Sequence, residues 1–118
     1  MVAGVIRTLR IHPERMAAAL DDGMLATDLA DYLVRRGVPF RESHGVVGRL
    51  VRAAQARGVA LRDLPLDAYR EADERFGPDV YAVFDMRQSV ARREGIGGTA
   101  PAAVALQLQQ AQALLDQE

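Results

Sequence analysis

The sequence lacks three residue types on which many protein functions depend. It has no cysteine, which excludes disulfides, thiolate metal sites and cysteine nucleophiles. All 15 of its basic residues are arginine, so it has no lysine, and it has no asparagine either. Schiff-base chemistry and the phosphate-binding lysine of a Walker loop are therefore excluded.

An excess of charge of one sign and long apolar runs are also missing. Acidic residues number 16, so the formal net charge is −1, which argues against a protein held on nucleic acid mainly by phosphate neutralisation. No apolar run approaches the roughly 20 residues of a membrane span, and no convincing signal peptide is present. With 118 residues, 49% apolar and 5% aromatic, we expect one soluble, cytoplasmic domain with an aliphatic core.

Proline and glycine divide the chain into segments that predict helices. The clearest helix is capped by Thr27 or Asp28 and ends before Gly37, where a glycine is favoured just beyond the last turn. Pro39 opens the next helix, and Gly58 ends it. Shorter helices are expected over 14–20, 66–76, 80–84 and 89–93, the first with Pro13 at its start.

Apolar residues at helical spacing predict which faces turn inward. No run alternates at period two for long enough to indicate a strand. The sequence therefore predicts an all-α fold, a compact multi-helix domain of short helices and helix-turn-helix pairs over residues 1–118. Oppositely charged pairs are expected at Asp31–Arg35 and Glu71–Arg75. The predicted inward faces are Leu25, Leu29, Tyr32 and Leu33, then Val47, Leu50, Val51 and Ala54, and in the last helix Val104, Leu108, Ala111 and Leu115.

The two histidines are the first candidates for chemistry. Ser43 and His44 are neighbours, but adjacent residues on a helix point about 100° apart, so they cannot form the hydrogen bond that activates a serine. His12 precedes a proline at a helix start, which favours a capping or loop role. With no ligand spacing between the two histidines, we predict no metal site.

Residues 95–99 (GIGGT) invite comparison with a phosphate-binding loop. That interpretation requires a preceding strand and, in the Walker form, a lysine, and the sequence offers neither. Three glycines in five residues instead predict unusual backbone geometry or a close approach. We expect a tight crossover that returns the last helix, capped by Thr99 with Pro101 in its first turn, against the bundle.

The basic residues Arg49, Arg52 and Arg57 fall in a segment, 28–57, that has the outline of a helix-turn-helix. A DNA-reading helix needs basic surroundings, whereas the net charge is −1 and the turn at 37–39 is apolar. We therefore predict no nucleic-acid binding. The acidic cluster of Glu71, Asp73 and Glu74 is interleaved with Arg70 and Arg75, which is typical of a solvated helix face.

Three separated stretches resemble one protein family in order and spacing. Residues 26–42 (ATDLADYLVRRGVPFRE) continue into Ser43-His44-Gly45-Val46-Val47-Gly48, and residues 89–93 (SVARR) are followed by residues 97–101 (GGTAP). Together they resemble the C-terminal domain of argininosuccinate lyase, and the similarity runs from about residue 2 to residue 115.

The resemblance implies an all-helical, usually tetrameric parent enzyme of the fumarase/aspartase superfamily. Its reaction is the reversible elimination of argininosuccinate to arginine and fumarate in arginine biosynthesis, by proton abstraction beside a carboxylate and departure of the guanidinium nitrogen. No cofactor is implied. The implied partners are the remainder of the lyase subunit and its homotetramer, with no nucleic acid and no membrane.

The family's catalytic serine lies in a loop of the pattern Gly-Ser-Ser-x-Met-Pro-x-Lys-x-Asn. That loop is absent here, because the chain has neither lysine nor asparagine. We therefore predict no catalytic, cofactor-binding or metal-binding residue, and His44 does not correspond to the family's catalytic histidine. The 118-residue chain alone is expected to be inactive.

Residues 1–11 would then be the end of a long central-bundle helix. We expect its apolar residues Val2, Val5, Ile6 and Leu9 to require burial, including by self-association of the isolated chain. The alternative interpretation is a stand-alone helical interaction module without lyase activity.

Overall fold

The computed structural model describes residues 2–116, so Met1, Gln117 and Glu118 of the predicted domain lie outside the described residues. Within that range every regular element is helical, which confirms the predicted all-α class. The α-helices are α1 (Val2–Thr8), α2 (Pro13–Ala18), α3 (Ala26–Val34), α4 (Phe40–Arg57), α5 (Leu66–Ala72), α6 (Met86–Ala91) and α7 (Pro101–Leu115). Short 3-10 helices occupy Asp22–Leu25, Leu61–Asp63 and Pro78–Phe84.

Helices α3 and α4 form the centre of the core and pack on each other more extensively than any other pair. Gly37, at φ 86°, makes the turn between them, and Gly58, at φ 65°, ends α4 in the left-handed conformation that favours glycine. The predicted inward residues of both helices are buried or, for Val51, partly buried. Helix α5, the last two 3-10 helices and the segments that join them complete this core with Leu61, Leu64, Tyr69, Phe76, Val80 and Val83.

Two predicted helix starts are wrong. Thr27 and Asp28 lie inside the first turn of α3, because the 3-10 helix Asp22–Leu25 runs directly into it. The capping carboxylate belongs to Asp21, which accepts a hydrogen bond from the Gly23 N–H at 2.7 Å. Thr99 does not cap α7, since Ala100 takes that position and no side chain caps it.

The predicted short helices exist with shifted boundaries. Helix α5 ends at Ala72 rather than near residue 76, because Asp73 adopts an extended conformation. Arg75 is thereby removed from the helix and pairs with Asp73 at 3.6 Å instead of with Glu71. The expected Asp31–Arg35 pair does not form either, as neither residue takes part in an ion pair among the described residues.

The terminal helices lie outside the core. None of the described residues of α1, α2 or α7 is buried, so the expectation that the last helix returns against the bundle is wrong. The radius of gyration is 18.7 Å, whereas about 13.5 Å is expected for a compact chain of this length. The compact multi-helix domain therefore comprises roughly residues 22–100, and apolar helices project from it.

Candidate functional site

The neighbouring Ser43 and His44 lie in different surroundings. Ser43 is buried, and its Oγ donates a hydrogen bond to the Phe40 carbonyl one turn earlier at 2.7 Å. His44 is exposed and lies edge-on to the Phe40 ring, with ring centroids 4.4 Å apart. The hydroxyl is thus used within α4, and the imidazole packs on the helix surface, as predicted.

The second histidine lies at the start of α2. His12 occupies the N-cap position of α2, as expected for a residue before a helix-starting proline, although its side chain makes no capping hydrogen bond. Among residues 2–116 no group of three or more histidine, aspartate or glutamate side chains is arranged to hold a metal ion. No described helix combines the length and apolar character needed to cross a membrane.

The arginines of α4 take part in packing between helices. Arg49 donates from Nη2 to the Ala72 carbonyl at 3.0 Å, which ties α4 to the end of α5. Arg49 and Arg57 line an open groove of about 380 Å³ together with Glu71. In the acidic cluster beside it, Glu71 and Glu74 are exposed, as expected of a solvated face. Asp73 differs, because its side chain is only 12% exposed, accepts a hydrogen bond from the Arg75 N–H at 2.9 Å and pairs with the Arg75 guanidinium at 3.6 Å.

A buried polar cluster joins α3 to α6. Asp28 is 3% exposed and accepts a hydrogen bond from the Ser89 hydroxyl at 2.9 Å. Arg93 donates to the same Ser89 oxygen at 2.7 Å and lies 3.5 Å from the Asp28 carboxylate. The sequence alone does not predict this cluster, because Asp28 also has the chemistry of a helix cap. The available signal was the spacing of Ser89 and Arg93, four residues apart.

A second cluster joins the end of α3 to the 3-10 helix Pro78–Phe84. The Tyr32 hydroxyl donates to Asp79 at 2.8 Å and accepts from the Gly77 N–H at 3.0 Å. Arg36 pairs with Asp79 at 2.6 Å and stacks over the Tyr32 ring at 3.6 Å. The hydrogen bonds that Asp79 accepts, first from Tyr32 and then from Arg36, lower the pKa of Asp79. In both clusters the polar groups are hydrogen-bonded within the chain, which ties distant segments of the fold together.

The projecting helices supply a large apolar surface. The chain exposes 8811 Å², about 2500 Å² more than the roughly 6300 Å² expected for a folded monomer of 12.9 kDa. Standard protein interfaces bury only about 800 Å² per partner. We call the exposed apolar side chains of residues 2–20 and 101–115 the terminal surface; they are Val2, Val5, Ile6, Leu9, Ile11, Met16, Leu20, Val104, Leu106, Leu108, Leu114 and Leu115.

Comparison with known proteins gives this arrangement a context. Residues 23–91 match the family model described as "Argininosuccinate lyase C-terminal". The chain is 57% identical over 117 residues to an argininosuccinate lyase of Roseiflexus sp. (strain RS-1), covering 99% of this chain and 26% of the relative. It is 59% identical over 101 residues to that of Chloroflexus aggregans, covering 86% of this chain and 22% of the relative.

Solved structures agree with the sequence relatives. The chain is similar to EDDS lyase in complex with formate, with a TM-score of 0.82 and 35% identity, covering 97% of this chain and 25% of that one. A variant of the same lyase with bound fumarate gives a TM-score of 0.81 at the same identity and coverage. The chain therefore spans about a quarter of the length of the proteins that it matches.

Proposed function

The chain belongs to the argininosuccinate lyase C-terminal family, and we propose that it acts as the non-catalytic C-terminal domain of an argininosuccinate lyase. The parent reaction would be the reversible elimination of argininosuccinate to arginine and fumarate in the cytoplasm. The role of this domain would be to pack against and complete the rest of the enzyme, whose reactive groups lie in the other three quarters of the protein.

The terminal surface is the observation that carries this proposal. The chain exposes about 2500 Å² more total surface than expected for a folded monomer, and the side chains of the terminal surface are apolar. Burial of apolar area is favourable by about 25 cal/mol per Å², which supports a partner that covers this surface. The similarity to EDDS lyase covers 97% of this chain, which takes in most of the terminal helices, and the matching part belongs to a chain about four times as long. The projection is thus the form expected of a domain docked on a larger body.

Within the predicted stretch 1–11, the helix Val2–Thr8 would be the end of a central-bundle helix in the complete enzyme; it stops at Thr8, so residues 9–11 are not helical, contrary to expectation. In support, none of the side chains of Val2–Thr8 is buried or belongs to the core of this chain. The same exposure supports self-association of the isolated chain, and a homotetramer of the complete lyase would cover these side chains with neighbouring subunits. No cofactor is part of the proposal.

Fumarate formation from argininosuccinate tests the proposal. Three proteins are compared: this chain alone, the Roseiflexus lyase without its matching segment, and a chimera in which this chain replaces that segment. We expect no activity from the chain, loss of activity in the shortened lyase and recovery in the chimera. Activity of the chain alone would mean that the chemistry lies here. A chimera no more active than the shortened lyase would favour the stand-alone interaction module.

A further inference from the structure

Ile96 is the most exposed large apolar side chain among the described residues. Its relative exposure is 108%, whereas the next most exposed, Val2, reaches 73%. It lies in the loop that joins α6 to α7, between Gly95 and Gly97. An isolated apolar side chain on a surface is ordinary, so the significance of Ile96 depends on how the loop around it is built.

The backbone of this loop is tightly constrained. Gly97 has a φ of +79°, a conformation that L side chains rarely adopt. A Cβ on Gly98 would lie 2.0 Å from the Arg93 carbonyl oxygen, so only glycine fits there. The Gly98 N–H donates to the Gly95 carbonyl at 2.8 Å and closes a turn around Ile96. The loop that carries Ile96 therefore depends on two glycines, Gly97 for its positive φ and Gly98 for its close approach to Arg93.

Hydrogen bonds fasten the loop to the core and to α7. The Arg93 carbonyl accepts from the Ala100 N–H at 3.1 Å, and the Arg93 guanidinium belongs to the buried Asp28–Ser89 cluster. On the other side, Gln107 Nε2 donates to the Gly98 carbonyl at 3.2 Å. The backbone that carries Ile96 is therefore fixed relative to both the core and α7, so little backbone entropy remains to be lost when the side chain is buried.

The surroundings of Ile96 are continuous with the terminal surface. A cavity of about 170 Å³ lies between the loop and the first turns of α7, lined by Ile96, Ala103, Leu106 and Gln107 among others. Leu106 is itself part of the terminal surface and is 53% exposed. The loop and α7 together present one protruding apolar side chain beside a shallow apolar hollow.

We propose that Ile96 is the anchor residue of the docking interface, inserting into an apolar pocket between helices of the lyase body. This inference rests on the proposed function, because it takes the remaining three quarters of the lyase as the occupant of the terminal surface. Interfaces draw most of their affinity from a few side chains that fill pockets on the partner. Ile96 meets that description because it is fully exposed, apolar and held by the loop in advance of binding.

Limited proteolysis of the chimeric lyase tests the anchor. When reclosing is faster than cleavage, the cleavage rate of the terminal helices follows the fraction of undocked domain. Ile96→Ala removes three buried carbons, so we expect cleavage in the chimera to accelerate on the order of 10- to 100-fold. Ile96→Val is the conservative control and should change the rate only a few fold. In the isolated chain neither substitution should alter the melting temperature, because the side chain is fully exposed there.

A second variant tests the constrained loop. Gly97→Ala keeps Ile96 but disfavours the positive φ of the loop, so it should also accelerate cleavage in the chimera. Gly95→Ala is the control, because a Cβ there has nothing within 4 Å, and it should leave the cleavage rate unchanged.

Equal protection of the unsubstituted and Ile96→Ala chimeras from the protease would overturn the role of Ile96 as anchor and leave the proposed function standing. An unsubstituted chimera cleaved as fast as the isolated chain would instead refute docking itself. Protection of the isolated chain at high concentration, lost with Ile96→Ala, would replace the lyase body by a second copy and overturn the proposal.

Discussion

Replacing Asp28 by alanine should destabilise the domain by about 2 kcal/mol. The carboxylate is buried and accepts a hydrogen bond from the Ser89 hydroxyl at 2.9 Å, an interaction with a charged group worth roughly 1.5–3 kcal/mol. The contact with Arg93 is longer, at 3.5 Å, and the Arg93 side chain is 42% exposed, so solvent reduces that contribution to at most about 1 kcal/mol. The Ser89 hydrogen bond should therefore dominate.

A double-mutant cycle separates these contributions. Urea unfolding of the isolated chain, followed by circular dichroism, gives the free energy of unfolding for Asp28→Ala, Ser89→Ala and the double variant. We expect the two substitutions to be coupled by about 1–2 kcal/mol, since the residues share one hydrogen bond. Asp31→Ala is a matched control on the exposed face of the same helix and should change stability by no more than about 0.5 kcal/mol.

Two results would refute this reasoning. If Asp28→Ala changed the unfolding free energy no more than Asp31→Ala does, the buried cluster would contribute nothing to stability. If the coupling between Asp28 and Ser89 were zero while both single substitutions destabilised, each residue would act through other partners. In that case Arg93, which also contacts both residues, would be the next one to substitute.

Three further substitutions test other parts of the fold. Gly98→Ala should destabilise the chain by about 1–3 kcal/mol in urea unfolding, because the new Cβ would lie 2.0 Å from a backbone carbonyl oxygen. An effect as small as that of Gly95→Ala would contradict this close approach. Tyr69→Phe should lower the free energy of unfolding by about 1 kcal/mol, since the buried hydroxyl donates to a main-chain carbonyl at 2.6 Å. Unchanged stability would show that water replaces the hydroxyl as the donor to that carbonyl. The hydrogen bond from Arg62 lowers the pKa of Asp22 below its ordinary 3.8. The stability that ionised Asp22 gives the fold is therefore complete above pH 3.8 and is lost as the pH falls through the lowered pKa. Asp22→Asn should therefore flatten the acid limb of a stability–pH profile, and an unchanged slope below about pH 4 would contradict this.

The helical segments could be predicted from the sequence because their signals are local. Pro39 and Gly58 mark the limits of α4, and the inward stripe of that helix follows from its 3.6-residue period. The family resemblance was equally accessible, since it depends on the order of residues and not on contacts between them. It was confirmed by the match of residues 23–91.

Local signals misled where two of them competed or where the expected interaction was weak. Thr27 and Asp28 both have the chemistry of a cap, but Asp21 caps an earlier 3-10 helix that continues into α3. The pair expected between Asp31 and Arg35 would be exposed, and such pairs contribute only a few tenths of a kcal/mol, too little to hold the flexible arginine side chain in one conformation.

The sequence by itself determined the helical class, most of the core faces, the absence of a Lys- or Asn-dependent site and the family. Only the tertiary structure decided which distant polar groups meet, such as Asp28 with Ser89, because 61 residues separate them and no periodicity links them. It also decided that α1, α2 and α7 project from the core. Amphipathic spacing indicates that a helix has a face to bury, but the partner that covers that face depends on the path of the chain around it.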